Sequence, residues 1–202
     1  MLSKQKSLLF FVVLAIGISG CASYKRSRID VRRVQAYPCH CGIQGIWFAA
    51  DPCDCPEKAK QGFYVDVTKR GFYPVNLVFE NETNDRLLIL REKIELIDAS
   101  GNIHRPVRST IMFDDFEKNE MAYAILGFGI FSYMSAEEAN EKMEADWREK
   151  EIPDQLIILP DRKGNGFVYF QLSEGRTIKG CKICLEAEKL ESKEKIQLEL
   201  TL

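Results

Sequence analysis

Alternation of apolar and polar side chains with a period of two constrains this chain more than any other feature. In "VNLVFEN" it places Val75, Leu77 and Phe79 on one face, and in "KIQLELTL" it groups Ile196, Leu198, Leu200 and Leu202. "FYVDVTK" groups Phe63, Val65 and Val67 in the same way. "LLILREKIELID" alternates through Leu88, Leu90, Ile94 and Leu96, with Glu92 breaking the apolar face, which predicts a bulge or a switch between sheets. "GFVYFQL" adds a run of aromatic and β-branched residues. Polar turn clusters at 81–85 and 99–102 separate several of these runs. Short strands divided by turns predict a mainly β fold, an antiparallel β-sandwich over residues 59–202.

Residues 108–155 break the pattern. An apolar run dotted with glycines, "AILGFGIFSY", is followed by Ser135-Ala136-Glu137-Glu138, the serine-to-glutamate spacing of a capping box. The helix it opens should run to about Lys150, with Pro153 just beyond its end and a narrow apolar stripe through Ala136, Ala139, Met143 and Trp147. This predicts a helical insertion in a β frame.

The front of the chain gives its destination. Lys4 and Lys6 precede an apolar run from Leu8 to Ile18, too short to span a bilayer comfortably, so residues 1–20 read as a secretory signal. The run ends in Ile18-Ser19-Gly20-Cys21, which resembles the lipobox of bacterial lipoproteins: an aliphatic residue, two small residues and a cysteine. The resemblance implies a diacylglycerol thioether on the Cys21 sulfur, and several acyl chains give firm anchoring where one is marginal. Ala22, where some lipoproteins carry Asp, is similar to the pattern sorted to the outer membrane. The expected location is the cell envelope, lipid-anchored, on the outer membrane facing the periplasm.

Residues 21–36 then form a tether carrying Lys25, Arg26, Arg28, Arg32 and Arg33, either lying on anionic headgroups or simply solvated. Loss of residues 1–20 removes two lysines and no acid from 28 basic and 30 acidic residues, which leaves a formal charge of −4. No basic stripe of the density that nucleic acid requires is present.

Six cysteines remain in the secreted part. Four lie in residues 37–58, a cysteine-rich hairpin. One antiparallel register would set Cys39 opposite Cys55 and Cys41 opposite Cys53, as two nested disulfides suited to an oxidising compartment. The alternative is zinc held by the four thiolates with His40 nearby, although zinc motifs more often space their cysteines by two to four residues. Cys181 and Cys184 are spaced C-x-x-C but lack the strand-then-helix context of a thioredoxin-like site.

Phe72-Tyr73-Pro74-Val75-Asn76-Leu77-Val78-Phe79, the run "EANEKMEADWREKEIP" and "LPDRKGNGFVYF" together resemble uncharacterised envelope lipoproteins with an immunoglobulin-like β-sandwich domain. The likeness covers residues 60–175 and implies a fold, not a reaction. Motifs of nucleophilic catalysis, phosphate binding or paired metal-binding histidines are missing. His104 reads as a turn residue, and Asp114-Asp115 as solvated surface. No catalytic residue, cofactor or small-molecule substrate is predicted.

Two function classes follow. The first is a lipid-anchored, non-enzymatic binding or assembly module with an envelope protein partner, docking through Trp47, Phe48, Phe128, Ile130 and Phe131. The second is a metal-binding or thiol-redox protein working through the cysteine hairpin.

Overall fold

The computed structural model describes residues 29–117, 133–173 and 175–202. The signal, the lipobox with Cys21, the tether up to residue 28, and Phe128, Ile130 and Phe131 lie outside the described residues.

The fold is mainly β. Strands β1 (His40–Ile43), β2 (Ile46–Pro52), β3 (Phe72–Asn81) and β8 (Arg162–Gln171) form one antiparallel sheet in the order β1-β2-β3-β8. A second antiparallel sheet holds β4 (Leu87–Leu90), β5 (Glu95–Ile97), β6 (Ile103–His104), β7 (Gln155–Ile158), β9 (Lys182–Lys189) and β10 (Lys195–Thr201). Strand β9 is its spine, pairing with β10 on one side and with both β4 and β5 on the other.

One core lies between the sheets. Ile46, Phe48, Val75, Leu77, Phe79, Val168 and Phe170 from the first sheet meet Leu87, Ile89, Leu96, Ile183, Leu185, Ile196 and Leu198 from the second. The alternation in β3 and β10 thus does what the pleat requires, sending every second side chain inward.

The break at Glu92 is a 3-10 turn, Arg91–Lys93, that absorbs extra residues between β4 and β5. On β9, Ile89 faces Ala187 while Glu95 faces Cys184, so six residues advance on one side against three on the other. That turn also corrects the phase of the alternation. Leu87 and Ile89, not Leu88 and Leu90, are the buried pair of β4, and the inward set resumes at Ile94 and Leu96.

The run "FYVDVTK" is not a strand. Phe63 closes helix α1 (Pro56–Phe63), Tyr64 caps it at φ 66°, and Val67 opens a 3-10 turn. Phe63, Val65 and Val67 are nonetheless buried together, so apolar spacing marked core without marking its backbone. Helix α1 starts where Pro56 sits at its first position, with no N–H to leave unpaired.

The outer face of the four-stranded sheet is covered as well. Helices α2 (Ser109–Glu117) and α3 (Tyr133–Lys150), between β6 and β7 in the chain, pack with α1 over this face. Met143 and Trp147 of the expected stripe are fully buried, and Trp147 meets Phe63, Phe113 and Phe116 edge-on. Helix α3 ends at Lys150 as the spacing predicts, and its described span already includes Tyr133, two residues before Ser135. With residues 31–37 covering the far end of the same face, all ten residues of β3 are buried.

The last part of the expected tether is docked rather than free. Val34 and Tyr37 are buried against Ala49 and Val78, with Val31 and Trp47 beside them. The Val34 N–H donates to Glu80 Oε1 at 3.1 Å. Although burial works against ionisation of Glu80, the hydrogen bond from Lys163 and that from Val34 hold its carboxyl below its usual range. Apolar side chains at 31 and 34 give this segment a reason to bind the sheet that its basic residues do not.

Candidate ligand cleft on the outer face of the sheet

Strand β2 ends at Pro52, and the next residue stays in the ladder through its N–H, which donates to Pro74 O at 2.8 Å. The chain then turns into α1, whose first turn brings Lys58 back over the end of β2. Lys58 Nζ donates to Asp51 Oδ1 at 3.0 Å and to Pro52 O at 3.1 Å, and lies 3.5 Å from Asp54. Burial would lower the Lys58 pKa, but the hydrogen bond and charge of Asp51 outweigh it, so the ammonium titrates above its usual range.

Between α1, the end of β2 and residues 29–30 lies a cleft of about 320 Å³, at the small end of the size range for ligand sites. Ile29, Asp30, Asp51, Cys53 and Lys58 form its walls, and Asn76 and Phe167 belong to the sheet behind them. Asn76 stands opposite Phe167 in one ladder and opposite Asp51 in the other. Its side chain is 2 % exposed, and neither Oδ1 nor Nδ2 has a hydrogen-bond partner. An amide left so costs about 1–3 kcal/mol relative to a paired one. The Cys53 thiol, pushed up to about 12 by burial and by the charge of Asp51, stays neutral there.

The cysteines do not form the expected hairpin register. The β1–β2 turn is the tight pair Gln44-Gly45, so Cys41 faces Phe48, and the Cys39 carbonyl accepts from Ala50. Cys53 and Cys55 fall past the end of β2, where Cys55 precedes α1. Loop length sets the register of a hairpin, and a two-residue turn fixes one that excludes Cys39 opposite Cys55 and Cys41 opposite Cys53. All six described cysteines are free thiols. Cys181 is buried in the core while Cys184 looks out beside Glu199, so the C-x-x-C pair straddles the sheet. Among the described residues no group of three or more His, Cys, Asp or Glu side chains is placed to hold a metal ion. His40 is exposed, with Nδ1 2.7 Å from Tyr37 O.

The docking residues separate too. Phe48 is fully buried and stacked on Phe79 with ring centroids 5.2 Å apart, so it is core and unable to meet a partner. Trp47 is half-buried: its Nε1 donates to Glu82 Oε2 at 2.7 Å, and its ring covers Gly42, where a Cβ would come within 2.3 Å of Cε3. His104 is held rather than loose, with Nε2 3.2 Å from Asp98 Oδ2. Asp98 also accepts from Ser100 N and Asn102 N, both at 2.9 Å, and from Arg176. The Asn102 side chain foremost, with these donors, holds the Asp98 carboxyl far below its usual range.

The sequence reading missed Asn76. It sits at an outward position of an alternating strand, where a polar residue normally meets water. The available signal was that Phe72 and Val78 are apolar on that same outward face, the mark of a strand covered on both sides.

No family model matches this chain, and no curated protein matches it. Among solved structures it is similar to the yjhA protein from Bacillus subtilis, at 10% sequence identity and a TM-score of 0.40. That likeness covers 80% of this chain and 95% of the other.

Proposed function

We propose that this protein is a lipid-anchored, non-enzymatic binding module of the cell envelope, an immunoglobulin-like β-sandwich whose ligand site is the cleft over Asn76. The binding half of the reading rests on one observation: a carboxamide buried at the cleft with both polar atoms unpartnered. Such a group weakens the fold unless something completes its hydrogen bonds. The sequence alone predicts no small-molecule ligand, and the cleft is the reason to revise that expectation.

The anchoring half rests on the ordered signal and Ile18-Ser19-Gly20-Cys21, and Ala22 supports the periplasmic face of the outer membrane. The thiol-redox alternative draws less support. Reactive cysteines have lowered pKa values, whereas burial raises those of Cys41, Cys53, Cys181 and Cys184.

Two measurements test the two halves. Cys21→Ser should lose incorporation of a labelled fatty acid, and a variant that keeps the label sinks the anchor. A small-molecule extract of envelopes should raise the melting temperature of the wild-type chain and not of Asn76→Leu. An extract that moves neither protein, or both equally, counts against the cleft.

A further inference from the structure

Resting on the reading of the cleft as a ligand site, we infer that its ligand joins an amide to an ammonium group, the chemistry of an amino-acid amide or of a peptide N-terminus. The argument starts from Asn76. A carboxamide with Oδ1 and Nδ2 both unpartnered offers one acceptor and one donor side by side. An amide group can answer both at once, giving one hydrogen bond from its N–H and taking one on its C=O, two groups set side by side as those of Asn76 are. A carboxylate would only accept, leaving Oδ1 unanswered, and an ammonium would only donate, leaving Nδ2 unanswered.

The walls decide the rest of the molecule. Among the described residues, the charged side chains that line the cleft are Asp30, Asp51 and Lys58, so carboxylates outnumber the cation there. Lys58 is already committed to Asp51 and Asp54. Among the described residues, an anion entering here would find the one lining cation, Lys58, shared between two carboxylates, whereas a ligand cation finds Asp30 at the exposed rim. Cys53 adds no charge, being a neutral thiol. The volume, about 320 Å³, suits a residue or two of peptide rather than a folded partner.

The test is a titration of the full chain in detergent micelles, reading the Asn76 side-chain NH2 signals by NMR, assigned by their loss in Asn76→Leu. The probes are alaninamide, N-acetylalaninamide, ethylammonium and trialanine amide. The expected result is saturable movement of the Asn76 signals by alaninamide, with affinity about tenfold above N-acetylalaninamide and ethylammonium, and loss of the preference in Asp30→Asn. Tighter binding of trialanine amide would identify a peptide end as the source, and weaker binding the free amino-acid amide. If N-acetylalaninamide binds as well as alaninamide, the ammonium half is wrong while the cleft still binds. If no probe moves the Asn76 signals, this inference and the reading of the cleft both fail.

Discussion

Asp51 and Asn76 face each other across the β2–β3 ladder, and only Asp51 has found a partner. Both side chains look out from the same face of the sheet, one bound by Lys58 and the other left without a hydrogen bond. The fold therefore carries the cost of an unpaired buried amide at this position.

Replacing Asn76 with Leu, of similar volume, should stabilise the unliganded protein by about 1–3 kcal/mol, because it removes an unpaired amide from a buried position. Urea unfolding measures this. A loss of stability on the same scale would mean that the carboxamide is satisfied within the fold and that the cleft has no ligand to wait for.

Phe48→Ala should cost about 3–5 kcal/mol, since Phe48 is fully buried and stacked on Phe79. Trp47→Ala, at a half-buried position, should cost distinctly less. Equal small effects from the two would return Phe48 to the surface.

Cys53, at a pKa of about 12, should be thiolate in only about one molecule in 10⁴ at pH 8. In the reduced protein its alkylation, followed by peptide mass mapping, should be slow at pH 8 and should rise about tenfold for each unit of pH. Fast alkylation at neutral pH would contradict the burial described for this thiol.

Asp98 should make the protein acid-sensitive. Its folded carboxyl titrates well below the unfolded value, so its contribution is present above about pH 4 and is lost as the pH falls below that. Asp98→Asn should melt lower than wild type at pH 6, and the gap between them should start to narrow below about pH 4 and go on narrowing as the pH falls toward the folded value. A gap that is constant with pH would assign the effect to lost packing instead of charge.

The legible parts of this fold were those where one local rule decided the outcome. Val75, Leu77 and Phe79 face the core because the pleat leaves them no other choice, and α3 stops at Lys150 with Pro153 close behind. The illegible parts depended on insertions or on distant partners. A 3-10 turn at Arg91–Lys93 shifts the phase that Leu88 and Leu90 suggest, and a two-residue turn at Gln44-Gly45 overrides the symmetry of the cysteine spacing. Helix α1 was hidden because four cysteines drew the reading to a hairpin, although Pro56, Glu57, Ala59 and Phe63 are ordinary helix signals. The cleft was hidden for a deeper reason. Asn76 matters only because helices cover the face it occupies, and nothing within a few residues of it carries that information.

The docked segment around Val34 has a consequence for scale. Packing of the chain on the sheet from Val31 onward leaves few residues of slack before Ile29, which lines the cleft itself. Eight residue steps separate Cys21 from Ile29, and at about 3.5 Å per residue they reach at most about 28 Å. With lipid on Cys21, the mouth of the cleft works on a short leash, held within roughly the thickness of one bilayer core from the membrane surface. It would sample molecules that pass along the membrane, and those deeper in the compartment would have to come to it.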